Sequence, residues 1–183
     1  MKKPAQATEE LLVLRAQLGD TIAFQGLVKK YTRQLILYCR SFRLDTTICE
    51  DIVQDAWLVA FRSLGRLESA GNFRSWLFGI TRNKIRQSLD KKTRDKLLTQ
   101  NITEYSQFAS PESSFKNYLE KLPSAFERLS VSHREILTLR FINQMSHEEI
   151  ADSTGIIVGT IKSRIHYAKN ALREILESMK NER

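Results

Sequence analysis

"SHEEIADSTGIIVGTIKSRIHYAKNAL", residues 146–172, carries two local signals that decide the fold of the second half of the chain. Ser146 followed three residues later by Glu149 is a capping box, in which hydroxyl and carboxylate each satisfy a backbone N–H left open at a helix start. Gly155 then suits the left-handed conformation that ends a helix, since it has no Cβ to clash. The helix between them is short, and a longer one starts at about Val158. In that longer helix Ile161, Ile165, Ala168 and Leu172 form one stripe, expected to pack on Ile150 and Ala151, while Thr160, Ser163, Arg164 and Tyr167 form another. The layout is that of a helix-turn-helix. An outer face of Thr160, Lys162, Ser163, Arg164, Tyr167 and Lys169 can enter a DNA major groove, where Arg reads guanine edges and hydroxyls and lysines grip phosphates. A plain helical hairpin with a solvated basic face fits the same distribution of charge.

The rest of the chain agrees with a helical protein. Few glycines and prolines, with long stretches of Leu, Ile, Lys, Arg, Glu and Gln, favour helices over a turn-rich sheet. At 183 residues the length allows two small domains. The net charge of +8 suggests a polyanionic partner, because clustered cations displace counterions from phosphates. The opening "MKKPAQATEE" lacks a signal-peptide apolar region and no segment approaches membrane-spanning length, so a cytoplasmic protein is expected. Cys39 and Cys49 read as reduced, mostly buried thiols; His133, His147 and His166 are scattered as surface or capping residues. The sequence calls for no catalytic residue, no metal and no cofactor.

In the first half, Leu11, Leu12 and Leu14 mark one helix, and a second, capped at Asp20 or Thr21, carries Phe24, Leu27, Val28, Tyr31, Leu35 and Tyr38. "TTICEDIVQDAWLVAFRSLGRL" has the strongest periodicity: Ile48, Ile52, Val53, Ala56, Trp57, Ala60, Phe61 and Leu64 form one apolar face. Thr47 and Glu50 would cap its start. Its other side bears Asp51, Gln54, Asp55 and Leu58, a small acidic surface that helix-dipole chemistry alone also explains. Residues 65–72 read as a loop. The helix that follows, "FRSWLFGITRNKIRQSLDKKTRDK", repeats Phe73, Trp76, Leu77, Ile80 and Asn83 and concentrates the positive charge, including Arg74, Arg82, Lys84 and Arg86. Cations interleaved with aromatics can track phosphates and stack on unpaired bases; Phe73 and Trp76 as core residues fit the periodicity equally. Residues 97–114 turn polar and lose periodicity, with a helix start at Ser110-Pro111-Glu112. Boundaries are expected at 1–96, 97–115 and 116–183. A further capping box, Ser132 with Glu135, places another helix start near 133.

"DIVQDAWLVAFRSL", "FRSWLFGITRN" and "SHREILTLRFINQMSHEEIADSTGIIVGTIKSRIHYAKNAL", in this order, resemble the extracytoplasmic-function (ECF) group of sigma-70-type sigma factors. The resemblance covers about residues 8–95 and 116–176. It implies an all-α protein with a sigma-2-like helical bundle and a sigma-4-like helix-turn-helix domain joined by a flexible linker, a subunit that directs bacterial core RNA polymerase to promoters. The face matching Asp51, Gln54, Asp55 and Leu58 would bind the clamp helices of the largest polymerase subunit. The loop matching residues 65–73, with Asn72, Phe73 and Arg74, would capture a flipped base of the minus-ten element, aided by Asn83 and by Arg82, Lys84 and Arg86 on the strand backbone. The helix from Val158 would read the minus-thirty-five element. An anti-sigma factor is a further partner the resemblance allows. Gln87, Asp90, Ile157 and Tyr167 depart from the residues frequent in the family, which bears on the promoter sequence and not on the class.

Two other classes use part of this pattern. A transcriptional regulator can end in a "TIKSR"-like recognition helix, but residues 48–83 show no receiver or ligand-binding pattern. A nucleic-acid enzyme needs clustered carboxylates or a nucleophile with its base, and Asp51 and Asp55 have no third partner in the sequence.

Overall fold

The computed structural model describes residues 4–98 and 116–181. Within them the chain is all-α: α1 (Pro4–Gln17), α2 (Thr21–Arg40), α3 (Thr46–Ser63), α4 (Phe73–Leu98), α5 (Lys116–Arg128), α6 (Val131–Leu137), α7 (His147–Thr154) and α8 (Val158–Asn181). The polar stretch expected as a linker, with its Ser110-Pro111 helix start, lies outside the described residues except for its first two positions, which end α4.

Capping residues set several boundaries. Asp20 caps α2, its carboxylate accepting from the N–H groups of Ile22 and Ala23. These bonds and Arg15 hold the Asp20 carboxyl below its usual range. The expected Thr47 cap is corrected: α3 starts one residue before Thr47, and Asp45 sits at the cap without a side-chain bond. The Ser132–Glu135 box is corrected too. Ser130 caps α6 by accepting from the His133 N–H, and Glu135 turns inward.

α1, α2, α3 and α4 form the first bundle around Val13, Leu27, Tyr31, Leu35, Trp57, Phe73 and Leu77. In α1 the buried residue is Val13; Leu11 and Leu14, expected as core, are half exposed. Phe61 likewise leaves the expected apolar face of α3 and stands 59% exposed, touching Phe24 edge-on. Cys39 and Cys49 are fully buried and free. α5 and α6 pack on α8, while α7 packs on α8 and most extensively on α4. The core is therefore continuous between the halves. At Gly79 of α4 a Cβ would lie 3.5 Å from the Ser153 carbonyl oxygen of α7, so the two backbones approach closely.

Candidate DNA and polymerase interfaces

The turn between α7 and α8 forms as its residues require. Ser146 and Glu149 make both bonds of the capping box, and Gly155 ends α7 at φ 71°, its N–H donating to the Ala151 carbonyl. Ile161, Ile165 and Ala168 are buried and Leu172 is half-buried. That packing turns Lys162, Ser163, Arg164, Tyr167 and Lys169 outward, with Thr160 half-buried beside them. Ser163 also donates to the Gly159 carbonyl, and Tyr167 packs edge-on against His166. Glu148 approaches this face from α7. Its own backbone N–H, the Ser146 hydroxyl and, more weakly, Lys162 hold its carboxyl below the usual range.

On α3 the side chains of Asp51, Gln54, Asp55 and Leu58 are all exposed and lie on one side, as the 3–4-residue spacing dictates. Phe61, one turn beyond Leu58, extends the apolar part of this face. Sequence periodicity assigned Phe61 inward because the core stripe of α3 is broad; only packing shows that it lies at the stripe's edge. Lys84 of α4 reaches Asp55 at 3.2 Å, so one residue expected at each surface pairs with the other.

Residues 64–73 fold as two 3-10 turns, Leu64–Arg66 and Ala70–Asn72, leading into α4. Gly65, Arg66, Glu68, Ser69, Gly71 and Asn72 are exposed. Phe73 is fully buried between Tyr31 and Trp76, so its place is in the core and it offers no surface for a base. Gln17 of α1, which sequence reasoning did not single out, donates through its amide nitrogen to the carbonyls of Leu64 (3.0 Å) and Leu67 (2.8 Å).

The basic residues of α4 divide between two faces. Asn83 and Arg86 are exposed. Arg74 and Arg82 face the second domain: Arg74 lies 3.8 Å from Glu149, and Arg82 bonds the Glu135 carboxylate at 2.7 Å and the Thr154 carbonyl at 3.2 Å. The same Glu135 oxygen accepts from the buried Tyr38 hydroxyl at 2.9 Å. Burial and the neighbouring Glu135 push the Tyr38 hydroxyl well up. Burial pulls the Arg82 guanidinium down, but its bond to Glu135 outweighs that and leaves it raised. This cluster contains residues from both halves. Here the sequence-expected minus-ten residues Arg74 and Arg82 are partly covered, whereas the outer face of α8 is open.

Among the described residues no group of three or more His, Cys, Asp or Glu is placed to hold a metal ion, and no helix is long and apolar enough to cross a membrane.

A helix-turn-helix with an open basic face, coupled to a bundle with an exposed acidic helix and a basic strand-facing helix, describes a two-part promoter-binding subunit. Residues 27–95 match Sigma-70 region 2, and residues 119–172 match Sigma-70, region 4. The RNA polymerase sigma factor NccH of Alcaligenes xylosoxydans xylosoxydans is 33% identical, over 94% of this chain and 96% of its own length. The ECF RNA polymerase sigma factor SigW of Bacillus subtilis is 27% identical, over 91% and 96%. The solved structure of the sigma factor RpoE from Bartonella quintana, in complex with the anti-sigma factor NepR, superposes with a TM-score of 0.70 at 28% identity, covering 84% of this chain and 96% of that one. The chain belongs to the ECF group of sigma-70-type RNA polymerase sigma factors: it directs bacterial core RNA polymerase to specific promoters and initiates transcription by recognising and opening promoter DNA.

Proposed function

We propose the following division of labour. Residues 1–96 bind core polymerase and read and melt the minus-ten element, 97–115 link, and 116–183 read the minus-thirty-five element. Asp51, Gln54, Asp55 and Leu58, joined by Phe61, dock on the clamp helices of the largest subunit. Asn72, Asn83 and Arg86 meet the minus-ten strand, with Arg74, Arg82 and Lys84 joining once the domains part and the Lys84–Asp55 pair is exchanged. Thr160, Lys162, Ser163, Arg164, Tyr167 and Lys169 form the minus-thirty-five surface. The protein works in the cytoplasm, supplies no catalytic step and needs no cofactor. An anti-sigma factor of the class bound by the Bartonella relative is a third partner.

The observation that carries the assignment is the split of α8, whose inner stripe is core while its Lys, Arg and Tyr stripe is open. An α-helix exposing such a stripe fits the major groove. For the polymerase face, the test is co-elution with core enzyme of the doubly substituted Asp51→Lys, Asp55→Lys protein. Both side chains are exposed, so the fold tolerates the change. Loss of co-elution with an unaltered melting temperature is expected, and retained co-elution rejects the assignment.

A further inference from the structure

α1 lies outside the residues that match region 2, yet it packs on both turns of the loop over residues 64–72. The contact has a definite chemistry. Val13, fully buried, fixes which face of α1 turns inward, and Glu10 and Gln17 share that face because they stand seven residues apart, close to two helical turns. Glu10 meets the second turn: a methyl group at Gly71 would lie 3.3 Å from its carboxylate oxygen. Gln17 meets the first.

The Gln17 amide nitrogen spans the Leu64 and Leu67 carbonyls, which lie at the start of that turn and just beyond its end. The Leu64 carbonyl already accepts the Leu67 N–H at 3.1 Å. A primary amide carries two N–H donors on one nitrogen, so it can satisfy two converging carbonyls at once. Asp20 secures the position, capping α2 and pairing with Arg15 just after α1 ends. The loop's exposed tip is thus held by a side chain that does not itself reach the surface of the loop.

We propose that Gln17 is a positioning residue for promoter opening, holding residues 64–73 in the shape that captures a flipped base of the minus-ten strand. This rests on the assignment of that loop as the base-capturing element. A pocket built from backbone and short exposed side chains has selectivity only if its backbone is held in place, since a displacement of about 1 Å can cost up to about a hundredfold in a positioned reaction. Glutamate at 17 keeps the size of glutamine but presents only acceptors to two carbonyls. Lysine keeps N–H donors on a chain of similar reach.

The experiment uses core RNA polymerase with the full-length protein, a promoter it transcribes, and templates varied one base at a time through the minus-ten and minus-thirty-five elements. The readout is the ratio of transcription between best and worst base at each position, which cancels differences in active fraction. Gln17→Glu is expected to lower that ratio about tenfold at one minus-ten position, to leave the minus-thirty-five ratios and core co-elution unchanged, and to recover activity on a template already mismatched there. Gln17→Lys should retain most of the selectivity. A uniform fall in transcription with unchanged ratios would assign Gln17 a merely structural role and overturn the proposal. Asn72→Ala separates the two readings. If it lowers the ratio at one position and Gln17→Glu does not, the proposal fails while the loop assignment stands; if neither variant changes any ratio, the loop assignment fails and the proposal with it.

Discussion

Glu135→Ala should undo the polar contact that ties the two halves of the protein together. One carboxylate oxygen of Glu135, on α6, accepts from Tyr38 of α2 and Arg82 of α4. Without it the Tyr38 hydroxyl, in a side chain only 1% exposed, loses its acceptor, at about 1–3 kcal/mol. The guanidinium loses its ion pair, for which a fully buried case costs about 3–5 kcal/mol. Arg82 keeps the Thr154 carbonyl and 19% of its side-chain exposure, so water relieves part of that loss. Together the low ends give about 3 kcal/mol against docking, a shift of about two orders of magnitude toward separated domains. A double-mutant cycle in urea, combining Glu135→Ala with Arg82→Met, isolates the pair: Arg82→Met should cost little once Glu135 is gone, leaving a coupling of about 1.5–2.5 kcal/mol. Small-angle scattering should show the single variant shifted toward extended forms. Fully additive losses with an unchanged scattering profile would refute the role assigned to Glu135.

Ser146→Ala removes the hydroxyl side of a complete capping box and should lower stability by about 1 kcal/mol in urea denaturation. Gly155→Ala forces a Cβ into φ 71° and should cost about 1–2 kcal/mol in the same assay, with promoter use reduced only as stability falls. Arg164→Ala should weaken promoter use by about 1–3 kcal/mol and relax one position of the upstream element; an unchanged promoter profile would count against the groove assignment. Tyr31 and Tyr38 are both raised, first by burial. The unfolded chain therefore loses their protons from about pH 10 while the folded chain keeps them, so stability is full below that pH and falls above it. Chemical denaturation should show a slope of about 1.4 kcal/mol per pH unit for each tyrosine, and Tyr38→Phe should remove one contribution.

What could be read in the sequence is local. Asp20, the Ser146–Glu149 box, Gly155 and the two stripes of α8 need only neighbours within a few residues, and each forms as its chemistry dictates. The readings that changed depend on distant partners. Glu135 has the spacing of a capping residue, but its carboxylate is claimed by a tyrosine 97 residues away. Leu11 and Leu14 look like core, yet Val13 fills the space under α2 and turns them outward. The acidic face of α3 was legible because its side chains remain at the surface. The division of the α4 cations between an open face and the Glu135 and Glu149 contacts was not, since periodicity cannot show which domain lies across from a helix. Gln17 was silent for a related reason: its partners are backbone carbonyls, and any residue at 64 or 67 would supply them.

The most direct measurement is run-off transcription of fragmented genomic DNA by bacterial core RNA polymerase, with the protein, without it, and with the Asp51→Lys, Asp55→Lys variant. Discrete transcripts that share an upstream sequence, arise only with the wild-type chain and vanish with the variant are expected. Transcripts identical with and without the protein, despite intact DNA binding, would contradict a promoter-selecting role.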